Sequence, residues 1–306
     1  YNDLADQANL LYSAIQKFNT TSTDANLADC RTLWKSSRSA WEQSEGFLFG
    51  PVSTNNIDPR IDTWPVNYVD LDSVLNSNAV FSDSYIESLE DALRGFHPIE
   101  YLIFGQTGAK TAAQVTAREK QYLLALAENL KKLTVEVATS WKPGTTGNYH
   151  DEFTKAGAGS KVYLTKRAAF EELVNAMAGI CDEVANGKLE EPYAAQDSTL
   201  EESPFSKNSI KDFTNNITSV QNVYLGKYKV DGAGLEDIIK GNFLSLDKNM
   251  KLKINSAINA LNKITVPFGR AIFEQPQQIE AAQKAINELK NFIEADLMNY
   301  VKTSIN

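Results

Sequence analysis

A histidine and a glutamate one helical turn apart are the residues of this chain best suited to chemistry. They are His97 and Glu100 in the segment Gly95-Phe96-His97-Pro98-Ile99-Glu100. A spacing of three places both side chains on one helix face, where an imidazole and a carboxylate can bind the same metal ion. The spacing also fits a helix start, with His97 at the N-cap, Pro98 in the first position and Glu100 in a capping-box position. The two interpretations are compatible.

Two further carboxylates, Glu42 and Glu45, have the same spacing. When their segment is aligned with that of the histidine, Glu42 corresponds to His97 and Glu45 to Glu100. The chain then offers E-x-x-E on one helix and H-x-x-E on another. Such pairs on facing helices form metal sites in helical bundles, and a set that includes an imidazole suits iron, manganese or zinc better than calcium. Chance is the alternative explanation, since both segments are short apolar helix ends stopped by glycine.

Two arginines interrupt helix faces that are otherwise apolar. Arg38 shares a face with Trp34 and Trp41, and Arg167 shares one with Phe170 and the next apolar residues of its helix. A charge on a buried face is destabilising unless it is paired. Each arginine is therefore either a partner for a site carboxylate or a rim residue whose charged end reaches solvent.

Three serines complete the set of candidate site residues. Ser44 precedes Glu45, while Ser203 and Ser206 precede a helix predicted over 207–225. Ser206 is typical of a helix cap. If the helix start faces a cleft, these hydroxyls and the backbone N–H groups would bind an anionic ligand.

Composition excludes several classes of function. Of the 306 residues 42% are hydrophobic and 23% are charged, which is enough apolar material for a full core. A net charge of -9 argues against nucleic acid as a partner, and no apolar run approaches the roughly 18 residues of a membrane span. Cys30 and Cys181 have no metal-ligand spacing and are predicted to be buried small hydrophobic residues. With His97 and His150 as the two histidines, a zinc site of two or three histidines cannot form unless both take part.

Helical periodicity dominates the chain, and strand signals are sparse. Helices are predicted over 3–18, 27–49, 83–94, 98–104, 111–140, 161–187, 207–225, 235–241, 243–264 and 277–303. Residues 51–83 are rich in turn formers and are predicted to be a long ordered loop with short helical turns. Residues 142–160, rich in glycine, are the best candidate for a domain boundary. We therefore predict two helical-bundle domains, 1–150 with the His97 motif and 151–306.

An ordered set of motifs over about residues 30 to 225 resembles the imelysin family. It comprises Trp41-Glu42-Gln43-Ser44-Glu45 with Phe49-Gly50-Pro51, Ile61-Asp62-Thr63-Trp64-Pro65, Gly95-Phe96-His97-Pro98-Ile99-Glu100, and Glu202-Ser203-Pro204-Phe205-Ser206 followed by Asp212 and Asn216. The family hallmark G-x-H-x-x-E carries onto Gly95, His97 and Glu100. The ordered set is more specific than that hallmark alone.

The resemblance implies an all-α fold of two helical domains packed around a cleft. It also implies exposure at the bacterial cell envelope, periplasmic or on the surface and often as a lipoprotein, and a relation to metallopeptidases and iron-uptake components. No signal peptide is visible, and we expect that any export signal has been removed or was never present. We expect a divalent metal or iron bound by His97, Glu100, Glu42 and Glu45. The further candidates for the cleft are Arg38, Ser44, Arg167, Ser203 and Ser206.

Three functions are compatible with these residues. The leading hypothesis is binding of a metal ion or metal-bearing ligand for uptake, with envelope transport components as partners. The second is a metallopeptidase in which Glu100 would be catalytic, and the third is a metal-free module for a peptide or small anion. A hydrolytic zinc site needs three firm protein ligands, an open water position and a general base. The sequence offers one motif histidine, which favours binding over hydrolysis.

Overall fold

A computed structural model describes residues 1–241 and 243–306. Helices dominate it, and the two strands in the described part form one short antiparallel hairpin, β1 (Lys227–Tyr228) and β2 (Val230–Asp231). The predicted all-α class is confirmed. Among the described residues, none of the helices combines the length and the apolar character that crossing a membrane requires.

The described chain forms two compact units. Unit 1 comprises Tyr1–Trp41, Gly50–Thr145 and Glu202–Asn208, and unit 2 comprises Glu42–Phe49, Thr146–Glu201 and Ser209–Asn306. Each unit therefore includes a segment of seven or eight residues from the other half of the sequence. The assignment of independent domains to 1–150 and 151–306 stays a prediction about how each half folds by itself.

The helices of unit 1 lie in the first half of the chain. They are α1 (Asn2–Thr20), α2 (Asp24–Glu42, whose last residue belongs to unit 2), α3 (Pro51–Thr54), α4 (Ile57–Asp62), α5 (Tyr68–Asn76), α6 (Asp83–Glu87), α7 (Phe96–Phe104) and α8 (Ala117–Ser140). Helix α1 packs along α8 and buries Leu4, Leu11 and Ile15 at helical spacing. Short helices α3, α4 and α5 occupy the stretch predicted as a loop with helical turns, so this stretch is ordered as predicted but contains more helix.

The helices of unit 2 pack around one large apolar core and one small cluster of Ala156, Tyr163 and Ala169. They are α9 (Tyr149–Thr154), α10 (Lys166–Asp182), α11 (Glu190–Ala195), α12 (Ser209–Leu225), α13 (Leu235–Ile239), α14 (Leu244–Leu261), α15 (Phe268–Glu274), α16 (Pro276–Phe292) and α17 (Met298–Ser304). A π-helical turn, Glu183–Lys188, continues α10, and another, Ile293–Leu297, joins α16 to α17. The core includes Cys181, and Cys30 is buried in unit 1. Both cysteines are free and fully buried, which confirms the prediction of buried small hydrophobic residues, and burial raises the pKa of the Cys30 thiol to about 12.

Helix α2 is shorter than predicted. It ends at Glu42, whereas periodicity predicted a helix to residue 49, and Glu45 begins a separate 3-10 turn, Glu45–Phe47. A close tertiary contact within unit 2 lies at this turn, since a Cβ on Gly46 would lie only 2.6 Å from Ser219 Oγ. The prediction of E-x-x-E on one helix is therefore wrong, and the sequence echo between the two motifs does not extend to their conformations.

Candidate functional site

The helix that carries His97 begins at a glycine for a steric reason. Gly95 is the N-cap of α7 and has a φ of +84°, a backbone region that favours glycine. A Cβ at this position would lie 2.2 Å from the carbonyl oxygen of Ile61. Gly95 thus lets the end of α4 approach the start of α7, and Asp62, the last residue of α4, comes next to His97.

The helix-cap interpretation of His97 and Glu100 is wrong. Because Gly95 takes the N-cap position, His97 is the second residue of α7 and Glu100 the fifth, and α7 has no side-chain cap. Glu100 instead accepts a hydrogen bond through Oε1 from the backbone N–H of Ser206 at 2.7 Å. Both side chains of the motif point into the interior of unit 1, where His97 is 1% exposed and Glu100 is fully buried.

His97 lies between two carboxylates. Its Nε2 is 3.0 Å from Asp62 Oδ1, and its Nδ1 is 3.8 Å from Glu100 Oε2. These are ion-pair distances, but neither ring nitrogen has a well-aligned hydrogen bond in the described part of the chain. Burial lowers the pKa of His97, yet the carboxylates of Asp62 and Glu100 outweigh that effect, and the net result is a raised pKa.

A buried arginine joins the carboxylates around His97. Arg38 is fully buried, forms ion pairs with Asp62 and Glu202, and places its guanidinium 5.3 Å from the centre of the Phe96 ring. A ring nitrogen of His97 and one carboxylate oxygen each of Asp62 and Glu202 all lie within 4.8 Å of one another. The name His97 cluster denotes Arg38, Asp62, His97, Glu100 and Glu202 from here on. Arg38, predicted as either a partner or a rim residue, is a partner.

Other side chains orient and enclose the His97 cluster. The indole Nε1 of Trp41 donates to Asp62 Oδ2 at 2.6 Å. The ring of Trp64 lies 5.1 Å from that of His97, and Phe205 packs edge-on against Trp64 at 6.2 Å. These aromatic rings lower the local polarity around the cluster, which strengthens the electrostatic interactions inside it.

The segment Glu202–Asn208 completes the cluster in unit 1. It supplies the carboxylate of Glu202, and the backbone N–H of Ser206 donates to Glu100. The carbonyl of Ser206 accepts a hydrogen bond from Lys35 Nζ at 3.2 Å. The Ser206 hydroxyl is buried and has no hydrogen-bond partner among the described residues. Ser203 is fully buried in the same segment. Helix α12 begins at Ser209, so the prediction that Ser206 caps this helix is wrong.

Unit 2 contains a second buried polar cluster. Glu45 Oε2 lies 3.0 Å from Lys188 Nζ and accepts from Asn216 Nδ2 at 2.8 Å. Glu42 Oε2 lies 3.8 Å from the same ammonium and also accepts from Asn216 Nδ2. The predicted residue Ser44 is buried in unit 2, and its carbonyl accepts from the N–H of Phe47 at 3.0 Å.

The predicted site residues are divided between the units. Unit 1 contains His97, Glu100, Arg38, Ser203 and Ser206, and unit 2 contains Glu42, Glu45, Ser44 and Arg167. Arg167 donates its Nε–H to the carbonyl of Ile305 at 2.9 Å, near the end of the chain. The four-residue metal site of His97, Glu100, Glu42 and Glu45 stays a prediction.

Four residues of these clusters were not singled out from the sequence as site residues, namely Asp62, Glu202, Lys188 and Asn216. Asp62, Glu202 and Asn216 stand inside or next to the motif stretches that resemble the imelysin family, which is the one signal that could have identified them. Lys188 lies outside those stretches, and its position depends on a π-helical turn that periodicity does not reveal.

Comparison with known proteins gives one family and several relatives. The family model described as Imelysin matches residues 1–295. The iron-regulated protein A of Synechococcus elongatus is 32% identical over 228 residues, which are 74% of this chain and 60% of that protein. The chain therefore spans about 60% of the length of that curated relative.

Two crystal structures share the fold. An iron-regulated protein A precursor from Parabacteroides distasonis matches with a TM-score of 0.88 and 26% identity, over 100% of this chain and 90% of that one. An imelysin-like protein from Psychrobacter arcticum matches with a TM-score of 0.74 and 13% identity, over 99% of this chain and 90% of that one. The second likeness concerns the fold alone.

Proposed function

The chain belongs to the imelysin family, and we propose that it binds a metal ion, iron in the first place, through the His97 cluster. One observation supports this above all. The buried imidazole of His97 has no well-aligned hydrogen bond at either nitrogen in the described part of the chain, and it lies with oxygens of Asp62 and Glu202 inside 4.8 Å. A relative from Synechococcus elongatus and one from Parabacteroides distasonis are both named as iron-regulated proteins.

The donor set fits such an ion. One imidazole and two or three carboxylates suit iron, manganese or zinc. A buried imidazole needs a partner for its nitrogen atoms, and a metal ion held between His97 and the carboxylates would supply one. Hydrogen bonds from neighbouring groups already orient two of these carboxylates, because Trp41 donates to Asp62 and the Ser206 N–H donates to Glu100. The ion is cargo in this proposal, and the side chains bind and release it.

The wider role depends on the same site. We propose that the protein captures a metal ion or a metal-bearing ligand at the bacterial cell envelope, as a periplasmic or surface protein with a lipid anchor, and passes it to transport components. Glu42 and Glu45 of unit 2 are also proposed to bind a metal ion. Family membership and the iron-regulated relatives support this role.

Replacing His97 by alanine is expected to weaken metal binding by at least about 100-fold, because partners outside the ligand set alone contribute about 10–100-fold. Titration calorimetry with Fe²⁺ under anaerobic conditions, Mn²⁺ and Zn²⁺ measures this. His150→Ala is the matched control, since its side chain is 43% exposed and lies beside Asp151. Binding of none of these ions by the wild-type protein, or equal binding by the His97 variant, would contradict the proposal.

Metal affinity is expected to rise with pH beyond the range of an ordinary histidine. A metal binds the neutral imidazole, and the raised pKa of His97 lets protons compete up to a higher pH. In the metal-free protein the same raised pKa makes the stability fall, and not rise, with increasing pH. Stability from protonated His97 is present below its unfolded pKa and is lost as pH rises through the folded pKa. Calorimetry in buffers of different ionisation enthalpy counts the protons that metal binding to the wild-type protein releases near neutral pH, and this count should fall as the pH rises through the pKa of His97.

A metal-free interaction module is the second candidate, and the ion pairs of Arg38 with Asp62 and Glu202 favour it. In that case the His97 cluster is structural. His97→Ala would then lower the melting temperature while leaving the binding of a peptide or small anion intact. The metallopeptidase hypothesis stays a prediction, and chelator-sensitive cleavage that Glu100→Gln abolishes would support it.

A further inference from the structure

A protein ammonium lies where the two buried glutamates of unit 2 converge. The Oε2 atoms of Glu42 and Glu45 are 3.8 Å and 3.0 Å from Lys188 Nζ, and both accept from Asn216 Nδ2. Two carboxylate oxygens that converge on one point form the donor geometry a cation needs. Lys188 is 12% exposed and presents its charge at that point.

A π-helical turn brings Lys188 to this position. Glu183–Lys188 continues α10 with wider turns, and the N–H of Leu189 bonds to the carbonyl of Val184 at 3.0 Å, a step of five residues. Such turns are rare and occur frequently at functional sites. The extra residue in the turn changes the direction of the side chains after it, so Lys188 does not lie where the periodicity of α10 would place it.

The same turn provides a second partner for the ammonium. Glu183 Oε1 lies 3.4 Å from Lys188 Nζ, and its side chain is 54% exposed. The ammonium therefore lies between a buried carboxylate pair and a carboxylate at the surface. Four rotatable bonds in a lysine side chain allow the short movement from one to the other.

We propose that Lys188 is the resident cation of the Glu42–Glu45 pair and that an incoming divalent metal ion displaces it towards Glu183. This inference rests on the proposed metal-binding function and adds a means of regulating affinity. The metal and the ammonium repel each other and cannot share the two Oε2 atoms. The Asn216 amide donates to both Oε2 atoms through Nδ2, and a turn of this amide would present Oδ1, which has no hydrogen-bond partner among the described residues, to the metal instead. Return of the ammonium would then favour release of the metal.

Lys188→Met tests this exchange, because methionine keeps an unbranched apolar side chain and removes the charge. We expect Mn²⁺ and Zn²⁺ to bind about 10-fold more tightly in calorimetry, since the competing cation is gone. The melting temperature should fall without metal and rise more on metal addition than in the wild-type protein. Lys290→Met is the matched control, since Lys290 pairs with Asp182 in unit 2 and should leave metal affinity unchanged.

Glu183→Gln is the second variant, and it decides the question if Lys188→Met does not fold. It removes the partner of the displaced ammonium from an exposed position, so metal affinity should fall about 3-fold with an unchanged melting temperature. Unchanged or weaker metal binding in Lys188→Met, or unchanged binding in Glu183→Gln, would overturn the exchange. If His97→Ala abolishes metal binding while the Lys188 and Glu183 variants behave like wild type, this inference alone fails. Absence of metal binding in the wild-type protein overturns both proposals.

Discussion

Replacing Arg38 by methionine is expected to lower the free energy of unfolding by about 3–5 kcal/mol. The guanidinium is fully buried and is paired with the carboxylates of both Asp62 and Glu202. Methionine fills much of the same volume but leaves two carboxylates in the interior of unit 1 without this cation. Loss of one member of a buried ion pair is far more destabilising than loss of a surface pair. Chemical denaturation monitored by circular dichroism measures the change.

Arg270→Met is the control for this prediction. Arg270 is 64% exposed and pairs with Glu274 one helical turn away, and its replacement should leave the stability nearly unchanged because solvent screens this pair. A double variant, Arg38→Met with Glu202→Gln, should recover part of the loss, because one of the two carboxylates is then neutral. If Arg38→Met is as stable as Arg270→Met, Arg38 does not stabilise the His97 cluster.

Replacing Gly95 by alanine is expected to cost about 3 kcal/mol or more of stability. A left-handed φ costs a residue with a Cβ about 1–3 kcal/mol, and overpacking in a well-packed interior adds about 1–3 kcal/mol. The new Cβ would lie 2.2 Å from the carbonyl oxygen of Ile61, so the end of α4 must move away from the start of α7. Because Asp62 is next to Ile61, the same movement should weaken metal binding. Thermal denaturation and calorimetry on one sample measure both effects.

Gly179→Ala is the matched control in unit 2. Gly179 lies within α10, and a Cβ there would meet nothing within 4 Å, so alanine should be neutral or stabilising by up to about 1 kcal/mol. A Gly95→Ala variant of wild-type stability would show that the contact between α4 and α7 relaxes at little cost. If Gly95→Ala loses stability but keeps its metal affinity, the substitution does not move Asp62 away from the metal site.

Local patterns in the sequence predicted much of the secondary structure. Periodicity predicted α1 nearly to both ends and α8 to its last residue, although α8 begins six residues later than predicted, because apolar residues on one helix face report which side is buried. It failed at residues 43–49, where Gly46 packs against Ser219 and a 3-10 turn replaces the helix. It also missed the π-helical turn before Leu189. Both failures lie where the chain contacts a segment distant in the sequence, Gly46 at Ser219 and Lys188 at Glu45.

The sequence by itself determined the helical class and the family resemblance and singled out His97 and Glu100 as candidate site residues, since these depend on periodicity and on short motifs. Tertiary structure alone decided which groups surround them. It ruled out a helix cap at His97, since Gly95 takes that position, and it brought Asp62 and Glu202 to the imidazole. Spacing along a helix reports neighbours within one or two turns. The partners of a buried charge come from distant parts of the chain, and only packing determines which of them meet.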